Sequence, residues 1–212
     1  EAMMELGYRL KTKRNYRRTT IAGKLYYANL IKGMVVNGPS QVWQSDITYI
    51  PMDGRHYYGV FIIDVYTKEI VGYSITDHMR ATANMKALEM ALAQHKAPLV
   101  HHSDRGSQYT YTGYIDLLKQ HGSKISMATS AQDNAYAERI NRTIKEEYLN
   151  HWQPRSYQQL KTMVGKAVEH YNSKRPHNNL DGKAPKAFEK QLSLMASHQR
   201  KTITIFNNQV IT

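Results

Sequence analysis

Asp104 follows the apolar pair Leu99-Val100 and the run His101-His102-Ser103, and Arg105-Gly106-Ser107 comes directly after it. This pattern predicts a short buried strand over Leu99–Asp104 that delivers a carboxylate to a loop at its C-terminal end. In open sheets flanked by helices, that is where ligands bind. Asp46 interrupts the strand-like run Val42–Ile50, where an ionised carboxylate is costly unless it is paired or bound to a cation. Glu138 lies on a polar stripe, with Asn134, Arg142 and Lys145, of a helix expected over Asp133–Leu149. Ala137, Ile140, Ile144 and Tyr148 cover a different side of that helix. If the three acids meet, each pair repels by about 4 kcal/mol at about 4 Å and an effective dielectric near 20. Such a cluster binds cations or takes up protons. Oxygen donors in a chain without cysteine select hard ions, Mg2+ or Mn2+. Two such ions about 4 Å apart activate a water or a 3′-hydroxyl and stabilise the departing oxygen of a phosphodiester. Lys145 points almost the same way as Glu138, about 10 Å further along the helix axis, placed to reach a phosphate.

The elements that must position these residues follow from periodicity. Val42–Ile50 reads as a first strand, Met52-Asp53-Gly54-Arg55 as a hairpin turn and His56–Val65 as a second strand. Tyr66-Thr67-Lys68 turns the chain into a third strand, Glu69–Thr76, which completes an antiparallel meander. Met85, Leu88 and Leu92, with Ala81 and Ala91 on the same side, predict a helix that Pro98 ends. After the strand Leu99–Asp104, a second helix shows Tyr111, Tyr114, Ile115 and Leu118 and stops at Gly122. Lys124–Met127 is a fifth strand. Two long helices follow, Asp133–Leu149 and Ser156–Tyr171, the latter opened by a Ser156/Gln159 capping box. Its core face is Tyr157, Leu160, Val164, Val168 and Tyr171. The order describes an α/β fold, a mixed five-stranded sheet flanked by helices, and it is the order of the ribonuclease H-like fold. The chain divides into a basic lead-in (1–38), a core (39–152), a helical C-terminal extension of the core (153–192) and a tail (193–212). Thr202–Phe206 in that tail reads as a short strand without an assigned role.

The bulk numbers bound the partner. In 212 residues, 29 Lys+Arg against 17 Asp+Glu give a formal charge of +12, which favours a polyanion. Nucleic acid is preferred to membrane, because no apolar run approaches the length of a span. Arg9, Lys11, Lys13, Arg14, Arg17, Arg18 and Lys24, interleaved with Tyr16, Tyr26 and Tyr27, form either a solvated linker or an arm along DNA phosphates. The absence of cysteine is compatible with a reducing cytosol, and a cytoplasmic, nucleoid-associated location is expected. The chain begins at Glu1 without a signal-peptide pattern, and is expected to be a fragment with further domains upstream.

Three segments carry a family resemblance. Val42-Trp43-Gln44-Ser45-Asp46-Ile47-Thr48-Tyr49-Ile50, His102-Ser103-Asp104-Arg105-Gly106-Ser107-Gln108-Tyr109 and Asp133-Asn134-Ala135-Tyr136-Ala137-Glu138-Arg139 resemble the acidic signatures of bacterial insertion-sequence transposases. That family has a retroviral-integrase-like catalytic core with an Asp-Asp-Glu triad. Tyr171-Asn172-Ser173-Lys174-Arg175-Pro176-His177 is similar to its downstream Tyr-Asn-x-x-Arg-Pro-His segment, and the resemblance spans residues 39–192. It implies that Asp46, Asp104 and Glu138 are the catalytic triad and the ligands of two Mg2+ or Mn2+ ions. It implies that Lys145 contacts DNA; further DNA contacts are expected at Arg142, Asn134, Arg105, Arg14, Arg17 and Arg18. The implied reaction cuts a strand at a transposon end and uses the exposed 3′-hydroxyl to attack another phosphodiester. The implied partners are double-stranded DNA, both transposon ends and target, and further copies of the chain assembled on it. The Asp104–Glu138 interval is shorter than the family's, with the loss around Thr129–Gln132, a loop that touches DNA in relatives. A helix-turn-helix region is implied upstream.

Blander readings stand beside these. Asp46 and Asp104 read alone are as readily turn or capping acids as site acids; Asp53, Asp116 and Asp133 are expected to be turn or capping acids, and Asp64 is read as structural. His101-His102 does not make a zinc site, because alternation sends the rings to opposite faces and no further His or Cys sits at ligand spacing. His101 is assigned to packing and His102 to a supporting partner behind the acids. Arg175 and His177 are read as ordering the chain after the last long helix. A nuclease of the same fold and a non-catalytic, domesticated DNA-binding module are the rival functions.

Overall fold

The computed structural model describes residues 26–206. Arg14, Arg17 and Arg18, like the other arm cations before Tyr26, lie outside the described residues. A short strand β1 (Val35–Val36) precedes the meander β2 (Val42–Met52), β3 (Arg55–Asp64) and β4 (Ile70–Thr76). Then come α1 (Ala81–Gln94), β5 (Val100–Ser103), α2 (Thr112–Gln120), β6 (Lys124–Met127) and α3 (Ala135–Thr143). The last helices are α4 (Tyr157–Ser173) and α5 (Pro185–Leu192), and β7 (Ile203–Thr204) closes the described chain. The sheet order is β4-β3-β2-β5-β6. β2, β3 and β4 pair antiparallel, whereas β5 runs parallel to both β2 and β6. The β2–β3 hairpin turns on Asp53 and Gly54, both at positive φ, the backbone that matches the twist of the flanking strands.

Alternation divides the apolar residues between the two faces of the sheet. Phe61, Ile63 and Ile50 pack under α3 and α4, against Ile140, Ile144, Leu160, Val164 and Val168. Trp43, Val60, Ile62 and Val71 pack under α1 and α2, against Leu88, Tyr114 and Leu118. Each such side chain, fully buried, contributes about 1.5–3 kcal/mol. α4 therefore shares the core that positions the acids.

Several expectations shift. The buried face of α1 is Ala83, Asn84, Ala87, Leu88 and Ala91, while Met85 and Leu92 are only partly covered. Gly72 of β4 explains the choice: a Cβ there would stand 2.2 Å from the Ala87 carbonyl oxygen, so small residues let helix and strand approach closely. Tyr111 is half exposed beside the start of α2 rather than in the core. The helix expected over Asp133–Leu149 is composite: a 3-10 turn (Ala131–Asn134), α3, a π-helical stretch (Ile144–Leu149) and a last α-turn to Trp152. The wider π turn brings Tyr148 and Leu149 together into the core, although Leu149 falls out of phase in an ideal helix. The lead-in joins the fold before residue 38: Ile31 and Val36 are buried with Val42, Val65, Leu192 and Ile205. The tail strand β7 pairs antiparallel with β1, which gives it a role. Among the described residues, no helix is long and apolar enough to cross a membrane.

Candidate active site

Ser45 of β2 stands opposite Ser103 of β5 in parallel register. The next residue in each case is an acid, so Asp46, in the middle of β2, and Asp104, just past the end of β5, lie side by side on the face covered by α3. Asp104 Oδ1 accepts the Gly106 N–H at 3.0 Å. A side chain at Gly106 would crowd the acid, because its Cβ would lie 3.0 Å from that same oxygen. Behind the strands, Tyr109 and Ser45 share a buried hydroxyl–hydroxyl bond of 2.9 Å.

The third acid comes on α3, whose start is clamped to β2 by Gln44. The Gln44 Nε2 donates to the Asp133 carbonyl at 3.2 Å, and its Oε1 accepts the Tyr136 and Ala137 N–H groups. Asp133 caps the preceding turn, its Oδ2 accepting from the Thr129 and Ser130 N–H groups and the Thr129 hydroxyl. Glu138 is exposed on the first turn of α3. One turn on, the Asn141 Nδ2 donates to Asp46 Oδ2 at 2.7 Å, joining the helix of Glu138 directly to the first aspartate.

The electrostatics are those of a shared acidic pocket. The Asp46 carboxyl is pushed up to about 7, by burial first, then by Asp104, and to a smaller extent by Glu138. Burial also raises Asp104 and Glu138, and Arg142 opposes the rise at Glu138. Burial lowers Lys145, while the negative charge of Asp46 works to hold its proton. Among the described residues, no three His, Cys, Asp or Glu side chains stand close enough to clasp one metal ion. The donor set nevertheless fits hard cations, being all oxygen. Among the described residues, the buried amide oxygens Gln108 Oε1, Asn134 Oδ1 and Asn141 Oδ1 find no partner.

The expected DNA contacts divide. Arg142 is exposed and Lys145 half-buried on α3 and its π-helical continuation. Asn134 is buried, and its Nδ2 donates to the Ser45 carbonyl at 3.0 Å, bracing β2. Arg105 lies over the Tyr26 ring at 5.1 Å with its Nε buried, which turns it inward. His102 Nδ1 bonds Ser126 at 2.8 Å, and Ser126 in turn accepts the Leu30 N–H, so the ring ties β5 to β6 and the incoming chain, with Asp133 acting on it electrostatically. His101 packs as expected against Tyr114, bonding its hydroxyl. Asp64 is structural: its oxygens accept the N–H groups of Ser40, Tyr66 and Thr67. The sequence reading passed over Gln44, Gln108 and Asn141. Only Asn141 left a usable signal, since 134, 138, 141 and 145 form a truer helical stripe than one drawn through 142.

Family models described as integrase core domain match residues 36–132 and 122–185. The chain is 37% identical over 201 residues to an uncharacterized 31 kDa protein of insertion element IS600 from Shigella sonnei, covering 91% of this chain and 74% of that protein. It is 35% identical over 192 residues to the transposase for insertion sequence element IS904 from Lactococcus lactis, covering 87% and 74%. Among solved structures it is similar to the HTLV-2 integrase catalytic core domain in complex with magnesium. The TM-score there is 0.60 at 19% identity, over 72% of this chain and 97% of that one. The BIV integrase catalytic core domain gives a TM-score of 0.59 at 18% identity, over 73% and 97%. At such identities the likeness to both structures is one of fold.

Proposed function

Because the chain belongs to the insertion-sequence transposases with an integrase core, enzymes that cut and join DNA strands, we propose that Asp46, Asp104 and Glu138 are its catalytic triad. The observation that carries this assignment is the Asn141–Asp46 bond at 2.7 Å. It fastens the helix bearing Glu138 to β2 at Asp46, beside the loop that carries Asp104. Mg2+ or Mn2+, when bound as a pair, supplies the positive charge that activates a water or 3′-hydroxyl and stabilises the leaving oxygen. The protein's part is positioning. Asp46 is aimed by Asn141, Asp104 by the Gly106 N–H, and Glu138 by the Gln44 clamp on α3. Lys145 holds a phosphate of the end being cut, Arg142 one further out, and the arm cations Arg14, Arg17 and Arg18 follow the duplex. Transposon-end and target DNA are the substrates, engaged by more than one copy of the chain.

A strand-transfer assay with pre-cut transposon-end DNA and Mg2+ tests the reading. Joined products are expected from the parent protein, and none from Asp104→Asn. Hydrolysis without joining would instead favour a nuclease. Metal-dependent cleavage that survives Asp104→Asn would remove the triad assignment.

A further inference from the structure

α3 lies on the sheet through Ala137, Ile140 and Ile144. One flank of the helix carries Asn134, Glu138 and Asn141. At about 100° per residue, Tyr136, Arg139 and Thr143 emerge about 180° away, on the other flank. That second flank borders a half-open cavity of about 600 Å3, closed on its far side by the β3–β4 turn and the Arg175–Asn179 segment. Its lining includes Lys68, Tyr136, Arg139, His177, Asn178 and Phe206. The volume is that of a small-molecule site.

Cations outnumber acids around this cavity, although the buried Asp64 acts on Lys68. Arg175, Glu147, Lys68 and Arg139 all act electrostatically on His177, so three cations and one carboxylate face the same space. Glu147 is already committed to Arg175, through two bonds of 2.6 Å. Among the described residues, neither Lys68 nor Arg139 forms an ion pair. Lys68 is nearly buried, its Nζ 4.0 Å above the centre of the Tyr136 ring and donating to the Val65 carbonyl. Phe206 packs against the same tyrosine at 5.8 Å between ring centres. Cations at the wall, aromatic faces at the base and the exposed amides of Asn178 and Asn179 at the rim match one ligand chemistry: an anionic phosphate carrying a flat, hydrogen-bonding ring.

We propose that this cavity binds a nucleoside monophosphate unit, supplied either by the unpaired end of a DNA strand or by a free nucleotide. Arg139 and Lys68 take the phosphate, the Tyr136 and Phe206 rings lie against the base, and Asn178 reads its edge. The site is separate from the acidic pocket and needs no divalent ion, so it can be tested while the triad is silent.

Calorimetric titration of the chain with dAMP in EDTA is the test. Binding is expected, weakened about tenfold by Arg139→Ala through loss of a charge-assisted hydrogen bond. Asn178→Asp, which adds a negative charge on the exposed rim at nearly constant shape, should weaken it as much. Deoxyadenosine and inorganic phosphate, each half of the ligand, should both bind more weakly than dAMP. Unchanged affinity in both variants, at parental melting temperatures, overturns the site. Inorganic phosphate or hexaglutamate binding as tightly as dAMP overturns the nucleotide assignment. A second arm compares a duplex bearing a short unpaired tail with a blunt duplex. Loss of tail preference in Arg139→Ala identifies a DNA strand as the source; retained tail preference with weakened dAMP identifies a free nucleotide.

Discussion

The two flanks of α3 carry opposite charge, and on each one sign predominates. On one, Asp46, Asp104 and Glu138 are all raised, above all by burial, and Asp104 and Glu138 lift Asp46 further. On the other, burial lowers Lys68 to about 8, and His177 falls to about 4 through burial and the nearby Arg175. Asp64 shows how the fold treats an acid it uses only as a brace. That carboxylate is also buried and raised, but three backbone N–H groups surround it. Asp46 receives one side-chain donor, one backbone N–H from Ile47 and two acidic neighbours. A buried charge left short of partners, beside others of its own sign, marks a place where the counter-charge comes from outside the chain.

Replacing an acid should produce the largest effect and should separate function from stability. Asp46→Asn is expected to lower end cleavage by about 10³-fold or more, while raising the melting temperature of the metal-free protein. The sign follows from linkage. The folded-state value of about 7 lies above the 3.8 of an unperturbed Asp. Ionising Asp46 therefore costs stability progressively between those values, in full above pH 7 and not at all below the lower one. The gain from the asparagine should be absent near the lower value and approach an upper bound of roughly 4 kcal/mol above pH 7. Mg2+ should raise the parent's melting temperature above pH 7 and leave that of Asp46→Asn nearly unchanged. A variant that melts lower than its parent at that pH would show that Asp46 is a brace like Asp64, and the contrast between them would go.

Asn141 sharpens the same contrast with a smaller effect. Asn141→Ala removes the side-chain donor to Asp46 and is expected to cost about 10- to 100-fold in activity or metal affinity. It should also move the acid limb of the pH–rate profile upward, since the lost hydrogen bond favoured the ionised form. A purely structural asparagine would lower stability without moving that limb.

In the sequence, Asp46 stands out as a charge inside a strand-like run, Asp104 as an acid that ends an apolar one, and Glu138 through its polar neighbours at helical spacing. The partners that aim them were less readable, for physical reasons. Gln44 looks like any strand residue until α3 is laid across it. Asn141 sits one residue from Arg142, whose charge makes an equally polar stripe with Glu138 and Lys145. The small-residue face of α1 depends on Gly72, which belongs to another element and leaves no mark in the helix's own periodicity. The β1–β7 ribbon joins two-residue segments from opposite ends of the described chain, too short for any pattern. The π stretch showed only as Leu149 out of phase.

On the cationic flank, Arg175 is the charge that does have a protein partner. Its bidentate pair with Glu147 links the end of α4 to the π stretch, with the two side chains 21% and 45% exposed. Solvent screening at that exposure limits its worth to about 1 kcal/mol. Arg175→Ala and Glu147→Ala should each lower stability by that order. The double variant should lose little more than either alone, as denaturant midpoints in a double-mutant cycle would show. Additive losses would mean that the pair does not act as a unit and that Glu147 is available to offset Lys68 and Arg139.

Lys145 carries the smallest expected effect, and it tests along which flank the duplex runs. It is half-buried, and the negative charge of Asp46 favours its protonated form. Its loss should remove about one phosphate contact. Lys145→Ala is then expected to reduce the slope of log affinity against log salt by about 0.9 on blunt transposon-end DNA. Arg139→Ala should leave that slope unchanged, because its cavity takes an unpaired nucleotide and not a helix. If the two variants trade places, the duplex lies along the cationic flank. The acids would then meet only a strand end that crosses over α3, and the cavity would serve as a phosphate clamp for the double helix.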